Sequence, residues 1–363
     1  MIYTFPNKLR NLAIAFMVIG FLGLAYGFLS APTTIEESRA IIAASHGDGH
    51  GGQHEGSDTK SDKHNSEYGL TESHNTEKSH NDLINGHEQA KNHGISHDVE
   101  HDEHIFHQLS NKPWAALYVA AFFFFMISLG TLAFYAIQRA AQAGWSPVLY
   151  RVMEAITSYL LPGGVIVFVL LVLSSMHLNH LFIWMDPDVV AHDKLIAGKT
   201  GYLNTPFFLI RALFFLSGWT LYRFYSRKFS LAQDEATDNS NHKKNFRISA
   251  AFLVFYIVTE SVMSWDWIMS IDPHWFSTLF GWYVFASMFV SGITTIALIA
   301  IYLKSKGYLE FVNDSHIHDL GKFMFGVSIF WTYLWFSQFM LIWYSNIPEE
   351  VTYFITRIED YNL

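Results

Sequence analysis

Cysteine is absent from this chain of 363 residues, and charged side chains are scarce. Without cysteine, the chain can form no disulfide, no thiolate zinc site and no cysteine-ligated iron–sulfur cluster. Asp, Glu, Lys and Arg together make up 15% of the residues, against roughly 25% in soluble globular domains. If the protein belongs to a redox system, its thiolate-held metals must therefore lie on another subunit.

A basic patch is also missing. The net charge is −9 at neutral pH, and all of it arises in Ala31–Pro113, which holds 15 acidic and 6 basic residues. The rest of the chain contains 17 residues of each sign. Nucleic acids bind to clustered Lys and Arg, so we do not expect a nucleic-acid partner.

Apolar residues are abundant, at 51% of the chain, and aromatic residues reach 17%. A helix needs about 20 mainly apolar residues to cross a bilayer core of roughly 30 Å. Seven stretches are long enough, and they predict an all-α, polytopic transmembrane helix bundle. They are Leu12–Leu29, Trp114–Gln138, Val152–Met176, Phe207–Tyr225, Ile248–Trp267, Phe276–Leu303 and Phe323–Tyr344.

Basic residues in the short loops predict a cytoplasmic N-terminus, because Lys and Arg are enriched in cytoplasmic loops. They precede the first span and follow spans two, four and six. The first span is alternatively a cleaved signal peptide, but its length of 18 residues favours a retained helix. The predicted domains are an N-terminal transmembrane helix (1–30), an extracytoplasmic polar loop (31–113), a six-helix transmembrane region (114–346), and a segment (347–363) that is either an extracytoplasmic tail or the start of a missing C-terminal part.

The polar loop is rich in histidine. Residues Ser45–His107 contain 12 of the 19 histidines, irregularly spaced among polar residues. Few apolar residues are available to offset the entropy of ordering, so we expect a disordered loop. The alternative is weak metal binding by imidazoles such as His46, His50 and His54.

Ionisable residues within the spans are candidates for function because they are costly in lipid. Glu260 lies roughly 18 Å into the fifth span at 1.5 Å per residue; it is either a proton relay or a partner in a helix–helix hydrogen bond. Ser264 shares its helical face. Glu154 either pairs with Arg151 or admits protons, and Pro162 in the same span predicts a break in the helix.

Further polar residues lie closer to the ends of the spans. Arg211 either extends its charge towards water or pairs with Glu260, Asp266 or Asp186. Ser217 is a polar residue within a span, and it is expected either to bridge helices or to bind water. The candidate proton path therefore comprises Glu260, Glu154, Ser264, Ser217, Arg211 and Asp266.

Two histidines at the end of the third span, His177 and His180, are spaced to share a helical face. They are candidates for proton transfer, for contact with a quinol head group, or for metal or haem ligation. The segment that joins spans five and six adds Asp272 and His274, and it is dense in aromatic and acidic residues without Lys or Arg.

The run DWIMSIDPHWFSTLFGWY, from Asp266 to Tyr283, resembles the helix-connecting motif of the polysulfide-reductase/NrfD-type membrane subunits. It is most similar to those of Alternative Complex III, the bacterial quinol:cytochrome c (or copper-protein) oxidoreductase, and the long polar loop is similar to that of the second such subunit. The resemblance covers the chain from about Trp114 onward. Members of this class have about ten spans, and the sequence predicts seven.

The resemblance implies four-helix bundles in a bacterial inner membrane, with no tightly bound cofactor in this chain. It implies oxidation of menaquinol or ubiquinol, with haem and iron–sulfur clusters on partner subunits. Those partners are a related NrfD-type subunit, a multihaem cytochrome c and an iron–sulfur subunit, and a terminal oxidase is a further candidate. By position, Asp266, Asp272 and His274 are motif residues, with His177, His180 and Asp186 beside them.

Two other functions compete with this expectation. One is an ion or divalent-metal transporter with a metal-collecting loop, although such proteins need ligands inside the spans. The other is a catalytically inert scaffold of the same complex.

Overall fold

The computed structural model describes residues 6–47 and 82–360, and the regular structure within those ranges is helical. The α-helices are α1 (Asn7–Ser30), α2 (Ile35–Gly47), α3 (Asp82–Ala140), α4 (Tyr150–Ile156), α5 (Leu160–Ser175), α6 (Pro187–His192), α7 (Lys194–Gly198), α8 (Thr205–Glu235), α9 (Ser240–Trp267), α10 (Phe280–Ser305), α11 (Asp314–Ser345) and α12 (Pro348–Ile355). Short 3₁₀ helices lie at Ser146–Leu149, Thr157–Tyr159, Ile183–Met185 and Met269–Ile271, and a π-helical turn follows at Thr356–Asp360.

Seven helical segments among the described residues are long and apolar enough to cross a membrane, which confirms the prediction of an all-α polytopic bundle. The protein is a multi-pass membrane protein. Some helices continue past the apolar stretch, as α8 does beyond Tyr225. Their backbone hydrogen bonds lie within the helix, so the helix does not have to end where it leaves the bilayer. The segments are Asn7–Ser30, Phe106–Ala140, Ser146–Ser175, Thr205–Glu235, Ser240–Ile271, Phe280–Ser305 and Asp314–Ser345.

The described parts of 31–113 include helix α2 and the first part of helix α3, and the expected disorder of the rest of this segment stays a prediction. At the start of α2, the Glu37 N–H donates to the Thr34 hydroxyl at 3.3 Å and the Thr33 N–H donates to the Glu37 carboxylate at 2.7 Å. The bond from the Thr33 N–H is the main cause that lowers the pKa of Glu37. Helix α3 begins at Asp82, where Glu, Gln, Lys and Ala favour helix.

Chain contacts separate two units, Gly23–Pro113 and the larger unit of Met1–Leu22 with Trp114–Leu363. The larger unit holds an aromatic core. The rings of Trp219 and Trp267 are fully buried with centroids 6.1 Å apart, and the ring of Phe125 lies 6.2 Å from each. Helices α3, α8 and α9 therefore meet around packed rings.

Helices α3 and α10 cross at two glycines. A Cβ atom on Gly130 would lie 2.2 Å from the carbonyl oxygen of Met288. A Cβ atom on Gly292 would lie 2.7 Å from the backbone nitrogen of Thr131. Small residues let membrane helices approach closely, and this crossing leaves no room for a side chain.

The third span is interrupted one turn before Pro162, between α4 and α5. Proline cannot donate the helical hydrogen bond to the carbonyl four residues earlier. Hydroxyl groups supply other bonds here, from Thr157 to the Glu154 carbonyl at 3.0 Å and from Ser128 to the Ile156 carbonyl at 3.2 Å. The break that the sequence predicts is therefore present.

Helix α12, with the π-helical turn after it, forms most of the described part of 347–363. Its Phe354 ring packs 5.9 Å from Trp335 and 5.4 Å from Phe339 of α11. Its Tyr353 ring stacks 4.3 Å from Trp275.

Candidate functional site

One face of α9 is buried along the whole helix. Its buried residues recur three and four positions apart, the spacing of a single helical face. Polar groups lie near both ends of this face, and aromatic rings lie around its middle. The buried residues are Asn245, Ser249, Phe252, Tyr256, Thr259, Glu260, Met263, Ser264, Asp266 and Trp267.

Near the end of α9, Asp266, Arg211, Tyr202 and Ser270 form what we call the Asp266 cluster. The Arg211 guanidinium donates from Nε to Oδ2 of Asp266 at 2.6 Å and from Nη2 to Oδ1 at 3.1 Å. The Tyr202 hydroxyl donates to Oδ1 at 2.8 Å, and the Ser270 hydroxyl donates to the Asp266 carbonyl at 2.5 Å. These contacts confirm the predicted structural pair for Arg211, with Asp266 as its partner.

Tyr202 is a partly exposed member of the cluster and donates its hydroxyl proton to Asp266. Burial, and then the adjacent Asp266 carboxylate, raise the pKa of Tyr202 well above its ordinary value. The Arg211 guanidinium also lies 4.0 Å from the centre of the Tyr202 ring. Breaking a buried ion pair by removing one partner costs about 3–5 kcal/mol, so the cluster fixes the geometry at this end of α8 and α9.

An open pocket of about 420 Å³ adjoins the Asp266 cluster. Tyr202 lines it, together with Trp265 and Trp275, whose buried indole N–H groups have no hydrogen-bond partner among the described residues. Lys199 stands at its wall and donates to a backbone carbonyl at 2.6 Å. Aromatic walls with a few polar groups are typical of ligand-binding sites.

A surface contact ties together the loops around this pocket. Nε2 of His274 lies 2.5 Å from Oδ2 of Asp193, and the His274 N–H donates to Asp272 at 3.2 Å. The bond from the Ile196 N–H, followed by the contact with His274, lowers the pKa of Asp193. Asp272 and His274 are exposed, so these two motif residues lie at the protein surface.

The predicted pairing of His177 and His180 on a helical face is wrong. Helix α5 ends before them, and His177 has a left-handed backbone with φ of 57°. Its N–H donates to the Ser174 carbonyl at 3.1 Å and closes the helix. Asp186 has a separate role, since its side chain accepts the Asp188 N–H at 2.9 Å and caps α6.

At the other end of the bundle, a second polar group surrounds Glu154, which we call the Glu154 cluster. Glu154 is 3% exposed. It accepts from Nη1 of Arg151 at 2.6 Å and from the Tyr135 hydroxyl at 3.2 Å, and Nη2 of Arg139 lies 3.9 Å away. The predicted pairing of Glu154 with Arg151 is confirmed, and the Glu154 side chain is buried in the helix bundle.

Hydrogen bonds extend from this cluster towards the middle of α9. The Ser226 hydroxyl oxygen lies 3.3 Å from the Tyr135 hydroxyl and 2.7 Å from Oδ1 of Asn245. The Ser249 hydroxyl follows at 3.5 Å from Asn245 and 2.7 Å from the Tyr222 hydroxyl. Sequence analysis missed these residues, although Asn245 and Ser249 lie four apart on the face that later carries Tyr256 and Glu260.

Glu260 lies between the two clusters along α9. It is 3% exposed, and its Oε1 atom has no hydrogen-bond partner among the described residues. Ser264 is buried on the same face, but its hydroxyl bonds within the helix, to the Ser261 carbonyl at 2.7 Å. Ser217 does not belong with them, because it is exposed on the face of α8 that lines a groove against α5.

The described residues contain no group of three or more His, Asp or Glu placed to hold a metal ion. His50 and His54 and the side chain of His46 lie outside the described part of the chain. No protein-family model matches the sequence, and no curated protein is significantly similar to it. Fold and site together define a multi-pass α-helical membrane protein with a buried polar cluster near each end of its helices.

Proposed function

We propose that this chain is an integral membrane subunit of a quinol-oxidising electron-transfer complex in a bacterial inner membrane. The observation that supports this most is the pocket whose wall residue Tyr202 donates to the buried Asp266 at 2.8 Å. If Trp265 and Trp275 turn their indole N–H groups, which are buried here, into the pocket, the oxygens of a quinol head group would accept from them. Its electrons would pass to haem and iron–sulfur clusters on partner subunits.

In this proposal, protons move along the buried face of α9. Glu260 exchanges protons between the Asp266 cluster and the chain of hydroxyl groups that leads through Tyr222 and Ser249 to Glu154. In this proposal, bound water molecules connect Glu260 to the polar groups on either side that are too far away for a direct hydrogen bond. The two ends of the path then lie near opposite faces of the membrane.

The second candidate is a scaffold of the same complex without proton or quinol chemistry. The two-point contact between Arg211 and Asp266 favours it, because a fully satisfied ion pair has a structural role without any reaction.

Binding of a short-chain menaquinone or ubiquinone analogue to the full chain in nanodiscs tests the pocket. Trp265→Phe keeps the ring and removes the N–H, so we expect binding to weaken about fivefold, the worth of one hydrogen bond of ~1 kcal/mol. Trp282→Phe, an exposed tryptophan on α10, should bind as the unmodified chain does.

Purification of the native assembly in mild detergent completes the test. Co-purified haem and iron–sulfur subunits with quinone binding support the proposal. The same subunits without quinone binding favour the scaffold, and the absence of both rejects membership of such a complex.

A further inference from the structure

A groove of about 430 Å³ runs along the lipid-facing surface between α5 and α8. Gly164 and Phe168 of α5 and Ser217, Thr220 and Phe224 of α8 line it, and its walls are almost entirely apolar. Gly164 keeps the groove open because it has no side chain. A Cβ atom at this position would lie 3.0 Å from the Leu216 side chain. The groove is wide enough for a ligand and opens to the hydrocarbon of the bilayer.

Two arginines lie at one end of this groove. Arg223 and Arg227 follow Thr220 at three and seven positions, so all three lie along one side of α8. Nε of Arg223 is buried and has no hydrogen-bond partner among the described residues. Two charged groups act on the Arg223 guanidinium: Arg227 repels it and Glu154 attracts it.

The nearby carboxylates do not neutralise these two arginines. Glu154 already accepts from Arg151 and Tyr135, and Asp234 is bound by Arg151 as well. An excess of positive charge therefore remains beside the groove. Since the apolar stretch of α8 ends near Tyr225, these guanidinium groups lie close to the level of lipid phosphates.

We propose that this groove is a specific site for an anionic phospholipid, with its phosphodiester on Arg223 and Arg227 and one acyl chain against Gly164 and Phe168. Guanidinium groups bind phosphate through two parallel hydrogen bonds. Basic pockets between transmembrane helices are suited to anionic head groups. A zwitterionic lipid is disfavoured, because its ammonium group would approach Arg227.

The test measures lipid retention by the full chain, using nanodiscs of phosphatidylcholine with a minor fraction of phosphatidylglycerol. After detergent extraction, native mass spectrometry gives the ratio of the two lipids that stay bound. We expect phosphatidylglycerol to be enriched over its bulk fraction. Arg223→Gln with Arg227→Gln should reduce that enrichment about thirtyfold, from the loss of two interfacial charges.

The matched control is Lys243→Gln with Arg247→Gln, which removes the same charge from exposed positions on α9 at the same end of the bundle. It should keep the enrichment. Ser217→Phe fills the groove without changing charge and should also reduce lipid retention. Equal loss in the α9 control, full retention in Ser217→Phe, or no enrichment in the unmodified chain would each overturn the proposal.

Discussion

A buried carboxyl group with an unsatisfied oxygen is costly, and Glu260 is such a group in the described part of the bundle. Arg211 and Asp266 satisfy each other at 2.6 Å, whereas the buried Oε1 of Glu260 has no hydrogen-bond partner among the residues that the structure describes. Inside a membrane span, such a side chain is a candidate for proton transfer. Asp266 therefore holds helices together, and proton exchange by Glu260 is part of the proposed function.

We predict that Glu260→Gln abolishes proton movement coupled to quinol oxidation but leaves the complex assembled, because glutamine keeps the shape and cannot release a proton. Proton uptake by reconstituted vesicles, measured with a pH-sensitive dye during turnover, checks this. Glu310→Gln, in an exposed loop, is the control and should retain coupling. Unchanged uptake in Glu260→Gln would remove Glu260 from the path.

Pairs close in sequence are easier to predict than pairs across helices. The three-residue separation of Arg151 and Glu154 places them on one helical face, and Asp266 was among three predicted partners of Arg211. The contacts from Tyr135 to Ser226 and Asn245 depend on how α3, α8 and α9 pack. Hydropathy and spacing within one helix contain no information about that arrangement.

Among the helices, the crossing of α3 and α10 depends on glycine. Gly130→Ala places a methyl group against the backbone oxygen of Met288, which cannot move without shifting α10. We expect a loss of roughly 1–3 kcal/mol or more, as for other overpacked sites. Thermal unfolding of the purified protein in detergent measures it.

Gly326→Ala provides the comparison, because nothing lies within 4 Å of its Cβ position on α11. Alanine there should stabilise the helix by about 0.4–1 kcal/mol, since it reduces the freedom of the unfolded chain. Equal stability of the two variants would mean that α3 and α10 do not approach each other so closely.

Hydropathy predicted the seven spans but not all helix ends. The spans are defined by the length that lipid requires, whereas the ends depend on local contacts. His177 illustrates this, because an ordinary residue takes the left-handed conformation that closes α5. Helix α2 depends on Thr33, Thr34 and Glu37, a capping pattern that composition alone does not reveal.

At the scale of the whole molecule, two contacts establish which helix ends lie together in the larger unit. The Tyr118 hydroxyl donates to the Trp267 carbonyl at 2.8 Å, so the first part of the span in α3 lies beside the end of α9. Arg139 donates to the Ser230 hydroxyl at 2.9 Å, so the ends of α3 and α8 lie together. The basic loop between α8 and α9 therefore lies at the opposite end from the loop between α9 and α10.

The distribution of basic residues predicts that the loop between α8 and α9 is cytoplasmic. Because the chain has no cysteine, Thr237→Cys and Thr278→Cys each introduce a single thiol at an exposed loop position. A membrane-impermeant maleimide should label Thr278→Cys in spheroplasts and Thr237→Cys only in inverted vesicles. The reverse pattern would invert the orientation and place the Asp266 pocket on the cytoplasmic face, where the proposed periplasmic haem subunits would have no access. Labelling of both from one side would contradict the alternation of the helices themselves.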